Sequence, residues 1–130
     1  MTFSLKPPTT EPAIRVVMMP RDTNSQGAIF GGVILSLIDQ AAYVEALRQK
    51  SSRYVTVAFR EVEFHEPVFV GDVLSLYANA TRAGRTSLTI SVRVCAHRRT
   101  NPDEAAKVTE AEVVFVAVDE NRQPVPVFAE

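Results

Sequence analysis

The sequence predicts an α+β fold in which one long helix packs on an antiparallel β-sheet. From Gly32 to about Lys50 the chain is apolar almost all round its first turns, which is typical of a helix covered by other elements. After this helix the pattern changes to the short-period alternation of strands. Strands are expected at 14–19, 54–64, 73–82, 86–97 and 108–118. We expect the last four to form a meander with the helix on one face.

Length and composition favour one domain over residues 1–130, with 1–12 as a loose, proline- and threonine-rich arm. The chain is 46% hydrophobic and 22% charged, which is close to the average of soluble globular proteins. Its formal net charge of −1 argues against a nucleic-acid partner, because such binders usually carry a basic excess.

Localisation is expected to be cytoplasmic. No apolar run resembles a signal-peptide core or reaches the ~18 residues of a membrane span. The one cysteine, Cys95, forms no intrachain disulfide, which fits a reducing compartment.

Turns are expected at Gly71-Asp72 and Ala83–Arg85, and the polar segment 98–106 is expected to be a hairpin loop. Because the first turns of the helix are so apolar, we expect it to be buried beneath a curved sheet or against a partner chain.

Asp39 is the first candidate for chemistry, because a carboxylate among apolar turns is costly unless it is paired or hydrogen-bonded. At 100° per residue it shares a stripe with three polar neighbours, Ser36, Gln40 and Tyr43. The alternative is that this stripe faces solvent and Asp39 is a surface acid. Against this, a solvated face is expected elsewhere, formed by Glu45, Arg48 and Gln49.

Two further candidates precede that acid. Gly31 and Gly32 open the helix, where backbone N–H groups without intrahelical partners and the helix dipole suit a developing oxyanion. Asn24 lies in an irregular loop, where its amide either makes local turn hydrogen bonds or polarises a carbonyl. Taken singly, each position is compatible with a purely structural use.

The turn Gly84-Arg85-Thr86-Ser87 combines a cation, two hydroxyls and backbone donors, which suits phosphate, although a plain hairpin fits as well. His65 and His97 are expected on different strands without metal-ligand spacing, so no metal site is expected. The nucleophile elbow GxSxG and the nucleotide-binding motifs GxxxxGK and GxGxxG are absent from the sequence.

From about Arg15 to Val127 the chain resembles the acyl-CoA hydrolase branch of the hotdog-fold thioesterases. The most specific piece is PRDTNSQGAIFGGVILSLIDQAA at 20–42. Supporting pieces are Val55-Thr56, FHEPVFVGD at 64–72, GRTS at 84–87 and FVAVDENRQPVPV at 115–127. The resemblance implies a hotdog fold, with the helix wrapped by a curved five-stranded sheet. It also implies a dimer with active sites at the subunit interface, often assembled into a hexamer.

The resemblance also implies roles for residues. Asp39 would be the catalytic carboxylate, as general base or nucleophile, with Asn24 of the facing subunit as its polar partner. The N–H groups near Gly31 and Gly32 would hold the thioester oxygen. Tyr43 departs from the small hydroxyl residue that several such enzymes carry there, which leaves the water-holding group open.

The turn residues Gly84, Arg85, Thr86 and Ser87 would contact the CoA nucleotide or its phosphates. Phe64, with Phe30 and Phe59, would shape the acyl pocket, whose length preference the sequence leaves open. No cofactor is implied, since CoA is part of the substrate. Two alternatives remain: a non-catalytic acyl-CoA-binding module, and a hotdog hydratase or dehydratase, against which the lack of histidine before the helix argues.

Overall fold

A computed structural model describes residues 5–128, which form one α-helix, five β-strands and a short 3₁₀ turn at Pro20–Asp22. The helix α1 spans Gly31–Gln49. The strands are β1 (Ile14–Val17), β2 (Arg53–Phe64), β3 (Val73–Ala83), β4 (Ser87–Arg98) and β5 (Asn101–Val118). The predicted class, α+β with one long helix and an antiparallel sheet, is confirmed.

The strand order is β1-β3-β4-β5-β2, with every neighbouring pair antiparallel. The predicted meander of four strands is therefore wrong: only β3, β4 and β5 follow one another. Strand β2 pairs with β5, and β1 occupies the free edge of β3 through pairs such as Ile14 with Leu76. Residues 65–72 thus cross from one edge of the sheet toward the other. Alternation identifies strands, but it does not specify their partners.

The predicted hairpin loop at 98–106 is also wrong. The turn is confined to Arg99 and Thr100, and β5 already begins at Asn101. Backbone pairing continues far into the polar segment, because Ala106 lies opposite Ala96. Residues 101–105 are exposed, so this part of the ribbon is polar because it extends beyond the core.

Helix α1 buries one face against the sheet. The buried apolar positions are Ile34, Ile38, Ala41, Ala42 and Ala46, at helical spacing. The opposite face keeps large apolar side chains exposed: Tyr43, Val44 and Leu47 are each about 40% accessible. Within one chain, the sheet therefore covers one face of the helix and leaves an apolar face uncovered.

Glu45 and Gln49 were expected to lie on a solvated face of the helix, and this prediction is wrong. Both side chains are buried, at 2% and 5% exposure. Glu45 Oε2 accepts hydrogen bonds from Ala80 N at 2.9 Å, Gln49 Nε2 at 3.0 Å and Arg48 Nη2 at 3.0 Å. The polar groups are tolerated inside because they satisfy one another.

Burial opposes the charged form of Glu45, but the hydrogen bonds from Arg48, Gln49 and the Ala80 N–H outweigh it, so the pKa of Glu45 is lowered. The same cluster holds part of the arm that was expected to be loose. Lys6 N donates to Gln49 Oε1 at 2.7 Å. Residues 5–12 have no helix or strand, yet they are anchored here; residues 1–4 of the arm lie outside the described part.

Candidate active site

Asp39 lies on α1 opposite Thr56 of β2. Thr56 Oγ1 donates a hydrogen bond to Asp39 Oδ1 at 2.7 Å. Because β2 runs along the sheet edge beside the helix, this contact joins elements that the sequence separates. Both residues line an open cavity of about 420 Å³. Its lining residues are Ile14, Asp39, Gln40, Tyr43, Val44, Tyr54, Thr56 and Phe115.

Aromatic rings form one wall of this cavity. Phe115 contacts Tyr43 edge-on, with ring centroids 6.5 Å apart, and Tyr54 at 6.0 Å. Tyr54 donates its hydroxyl to Lys50 O at 2.6 Å. Burial, with a smaller contribution from Tyr43, raises the pKa of Tyr54 to about 12. The cavity therefore offers one carboxylate beside a rigid apolar surface, which suits a polar reaction on a substrate with an apolar tail.

The predicted polar stripe of the helix is present. Gln40 Nε2 donates to Ser36 Oγ at 3.3 Å, and both residues are exposed. Asp39 is half-buried, and its stripe faces the cavity and the solvent at its mouth. The sequence argument against a surface role for Asp39 assumed that Glu45 and Gln49 form the solvated face of the helix. Both are buried, so that argument no longer holds. What distinguishes Asp39 is the hydrogen bond from Thr56.

The helix start has the geometry of a donor pair. Phe30 O accepts from Val33 N at 3.0 Å and from Ile34 N at 3.4 Å, which leaves the N–H groups of Gly31 and Gly32 as the first two of the helix. Within residues 5–128, no side chain accepts a hydrogen bond from either.

Phe64 lies beside this helix start. A Cβ added to Gly31 would meet its ring at 3.4 Å, whereas one added to Gly32 would meet nothing within 4 Å. A cavity of about 280 Å³ opens there, lined by Gly31, Ile34, Phe64 and His65 among others. Of the three phenylalanines expected to shape an acyl pocket, Phe64 is thus placed against Gly31.

Asp39 and the glycines do not share a cavity in one chain. Gly31 lies on the same helix as Asp39, about 12 Å away along its axis, and the two residues line different cavities, whereas Gly32 lines neither of them. Asn24 lines neither of these cavities. The predicted site residues are therefore distributed over the surface of one chain.

Asn24 is half-buried in the loop before the helix. Its Oδ1 accepts hydrogen bonds from Gln26 N at 2.8 Å and Ala28 N at 3.2 Å, the local turn use that sequence reasoning left open. Since the acceptor end of the amide is held, the Nδ2 end is oriented as a donor. No acceptor for Nδ2 occurs among the described residues.

The segment 84–87 forms the β3–β4 turn, with Gly84 N donating to Ser87 O at 2.9 Å. Thr86 O accepts a hydrogen bond from Ala117 N of β5 at 2.8 Å, and Arg85 O accepts one from Val127 N at 2.9 Å, so the turn is joined to β5 and to the C-terminal segment. A Cβ on Gly84 would lie 2.6 Å from Ser87 Oγ. This close approach explains structurally why a glycine occupies position 84, whether or not the turn contacts a ligand.

Sequence reasoning missed the hydrogen bond between Thr56 and Asp39. The pair Val55-Thr56 belonged to the resemblance, but its register against α1 was unknown. A hydroxyl residue in an otherwise apolar strand segment near a helical acid was the available signal. The two histidines lie apart: His97 Nδ1 is 2.9 Å from Pro102 O, whereas His65 lies at the end of β2.

Comparisons with known proteins agree with this architecture. A family model described as the thioesterase superfamily matches residues 26–101. An uncharacterized acyl-CoA thioester hydrolase of Zymomonas mobilis is 47% identical over 118 residues, which are 90% of this chain and 78% of that protein.

Two solved structures are similar to this one. Cj0915, a hexameric hotdog-fold thioesterase of Campylobacter jejuni, has a TM-score of 0.85 at 39% identity, covering 91% of this chain and 90% of its own. An acyl-CoA hydrolase of Staphylococcus aureus, solved with butyryl-CoA and CoA, has a TM-score of 0.80 at 27% identity, covering 88% and 69%. The hotdog fold is thereby confirmed. Within residues 5–128, no helix has the length and apolar character needed to cross a membrane.

Proposed function

The chain belongs to the thioesterase superfamily, and from this premise we propose that it hydrolyses acyl-CoA to a free carboxylic acid and CoA. The names of its relatives support the substrate class, since they are acyl-CoA thioester hydrolases. The main support for Asp39 as the catalytic residue is the hydrogen bond that it accepts from Thr56 in a cavity with an aromatic wall.

Asp39 acts on the thioester carbonyl in one of two ways. As general base it takes a proton from water while the water oxygen bonds to the carbonyl carbon; the C–S bond then breaks and CoA leaves as the thiol after protonation. As nucleophile its free oxygen bonds to the carbonyl carbon, the C–S bond breaks and CoA leaves as the thiolate, which takes up a proton; water then hydrolyses the resulting anhydride and restores the Asp39 carboxylate. Thr56 occupies Oδ1 in either case, so Oδ2 is the oxygen directed to the reaction.

Gly31 and Gly32 stabilise the oxyanion through their N–H groups. Two features support this: the donors have no intrahelical acceptor, and they lie at the positive end of the helix dipole. Removing one such donor typically lowers the rate about 10²–10³-fold.

The complete site requires two copies of the chain. The separation of about 12 Å along the helix axis and the different cavities of Asp39 and Gly31 support a site shared between subunits. In that dimer Asn24 of the facing subunit donates Nδ2 to the substrate or to water beside Asp39. The hexameric state of Cj0915 supports further assembly, as a trimer of dimers.

The turn 84–87 binds the CoA nucleotide. Arg85 is exposed there and Ser87 is half-buried, so the turn carries a cation and a hydroxyl, the groups that bind phosphate. The S. aureus hydrolase solved with CoA supports CoA as the ligand class. Hydrolysis on this scheme uses side chains, backbone donors and water, without a cofactor.

The test is release of free thiol from a series of acyl-CoAs, acetyl to palmitoyl, by wild type and Asp39→Asn. We expect Asp39→Asn to keep the fold and lower kcat roughly 10²–10⁴-fold. Asp103→Asn, an exposed acid at the start of β5, is the matched control and is expected to retain activity. An Asp39→Asn enzyme with most of its activity contradicts the catalytic role. Binding of acyl-CoA without product from wild type favours the binding-module alternative.

A further inference from the structure

We propose that Glu63, His65 and Glu110 form a binding site for one divalent transition-metal ion of the Zn²⁺ class. The three side chains meet where β2 ends beside β5, and one ligand atom of each lies within 4.8 Å of the other two. Sequence reasoning considered His65 only together with His97 and expected no metal. Glu110 lies far from Glu63 and His65 in the sequence. Its proximity to them became evident only from the pairing of β2 with β5.

The backbone places the two carboxylates directly opposite one another. Glu63 and Glu110 are Cα partners in the β2–β5 ladder. The register shifts between Arg60 and Glu63, and Glu61 within that shift has φ of 51°. A bulge of this kind changes the direction in which the following side chains point. His65 N then donates to Val108 O at 2.8 Å, which holds the histidine beside the pair.

The distances between ligand atoms fit a small tetrahedral ion. His65 Nε2 is 3.0 Å from Glu110 Oε2 and 3.5 Å from Glu63 Oε2. With metal–ligand bonds of about 2.0–2.2 Å, the edges of a zinc tetrahedron are about 3.3–3.6 Å. Small side-chain rotations therefore bring the three atoms onto one ion. The partial exposure of the residues leaves the fourth position to water.

The charge distribution favours an added cation. Like charges directly opposite on a ladder are destabilising, and Glu63 faces Glu110 in that arrangement. Lys107 contacts Glu110 from the same strand. A dication neutralises both acids, whereas Lys107 supplies one charge to one of them.

The ligand set specifies the class of metal. One imidazole with two carboxylates suits Zn²⁺, Ni²⁺, Co²⁺ and Cu²⁺, whereas Mg²⁺ and Ca²⁺ prefer oxygen ligands alone. None of its three residues lines the cavity of Asp39, whereas His65 also lines the cavity beside Gly31 and Phe64. Metal binding is measured without substrate, so its outcome does not depend on the proposed hydrolysis.

The experiment is isothermal titration of the tag-free full chain with ZnCl₂, NiCl₂, CoCl₂, MnCl₂ and MgCl₂. We expect one Zn²⁺ per chain, an affinity order that follows Mn²⁺ < Co²⁺ < Ni²⁺ among the others, and no measurable Mg²⁺ binding. His65→Gln and Glu110→Gln are each expected to weaken Zn²⁺ binding about tenfold or more, by analogy with the loss from disturbed metal shells. Lys107→Met is expected to tighten it, because the competing cation is removed.

Matched controls are His97→Gln, which changes the other histidine, and Glu104→Gln, which changes an exposed acid on the same strand. Both are expected to bind Zn²⁺ like wild type. Thermal melting with and without Zn²⁺ checks each variant for folding, and the rise in Tm is expected to vanish only in the ligand variants. The proposal is overturned if His65→Gln binds Zn²⁺ as tightly as wild type, or if wild type binds Mg²⁺ as tightly as Zn²⁺. It is also overturned if wild type does not bind Zn²⁺.

Discussion

Thr56 Oγ1 donates a 2.7 Å hydrogen bond to Asp39 Oδ1, and this contact joins edge strand β2 to helix α1. It directs one carboxylate oxygen toward the strand and leaves the other for the cavity. Thr56 is thus a positioning residue for the proposed catalytic acid, because it acts on the substrate only through Asp39.

Thr56→Val replaces the hydroxyl by a methyl group of similar size. A hydrogen bond to a charged group contributes about 1.5–3 kcal/mol, so its loss is expected to lower kcat roughly 10–100-fold while KM changes little. Thr56→Ser retains the hydroxyl and is expected to recover most of the rate. Steady-state thiol release measures both. Equal loss in the Val and Ser variants would indicate that shape, rather than the hydrogen bond, is what matters.

Gly31→Pro tests the backbone donor without truncating a side chain. Proline is well accommodated at the first helical position, and it removes the N–H group that is proposed to bind the oxyanion. We expect kcat to fall about 10²–10³-fold with the helical circular dichroism unchanged. Gly31→Ala is the matched control, because its Cβ makes only ordinary contact with Phe64 at 3.4 Å. Full activity in Gly31→Pro would remove this N–H from the mechanism.

Gly84→Ala tests the proposed binding of the CoA nucleotide at the β3–β4 turn. The new Cβ would lie 2.6 Å from Ser87 Oγ, so the hydroxyl has to move. We expect KM for acyl-CoA to rise severalfold while kcat stays near wild type, because binding remote from the reacting bond is weakened. In the Ser87→Ala background the same substitution meets no hydroxyl, and its additional effect is expected to be small. A fall in kcat alone would contradict nucleotide binding at this turn.

Glu45→Ala tests the buried cluster below the arm. It leaves Ala80 N and Gln49 Nε2 without their acceptor, and we expect the free energy of unfolding to fall by about 2–4 kcal/mol. Urea denaturation measures this. Glu11→Gln, an exposed acid of the arm, is the control and is expected to change stability by less than about 0.5 kcal/mol.

The cluster also predicts a pH dependence. Because the pKa of Glu45 is lowered in the folded state, its carboxylate contributes stability above the ordinary value of 4.5 and loses that contribution as the pH falls through and below it. Glu45→Gln is expected to remove this component of acid destabilisation. An identical acid profile in wild type and Glu45→Gln would show that the cluster does not stabilise the charged form.

Tyr54 predicts a change at high pH. Its pKa is raised from 10.0 to about 12, chiefly by burial, so the folded state favours the neutral phenol. Its contribution to stability is complete below pH 10 and is lost between pH 10 and about pH 12, up to roughly 2–3 kcal/mol. Tyr54→Phe is expected to lack this loss. Phenolate absorbance, combined with unfolding at each pH, checks it; ionisation of every tyrosine near pH 10 would contradict it.

Local patterning in the sequence was sufficient for the elements of the fold. The helix was expected from Gly32 to Lys50 and spans Gly31–Gln49, because its apolar residues are local in sequence. The β3–β4 turn at Gly84 was placed correctly for the same reason. The meander failed at β2, because pairing joins residues far apart and alternation does not encode the partner.

The site shows the same division. Asp39, Gly31 and Gly32 were predicted as site residues from the helix alone, whereas the donor to Asp39 required the position of β2 relative to the helix. The solvated face assigned to Glu45 and Gln49 failed because the residue type was taken as a guide to exposure. A buried carboxylate is stable only when donors converge on it, and one of those donors, Ala80 N, lies on another element.

By itself, the sequence determined where the chain is helical and where its apolar strands run, whereas the strand structure of the polar residues from Asn101 onward became evident only from their pairing with β4. The first two features depend on residues near one another along the chain. Only the tertiary structure decided that Thr56 meets Asp39, that Glu110 meets Glu63 and His65, and that Glu45 is buried. The physical reason is that hydrogen bonds and burial depend on distances in space, which the strand order β1-β3-β4-β5-β2 determines.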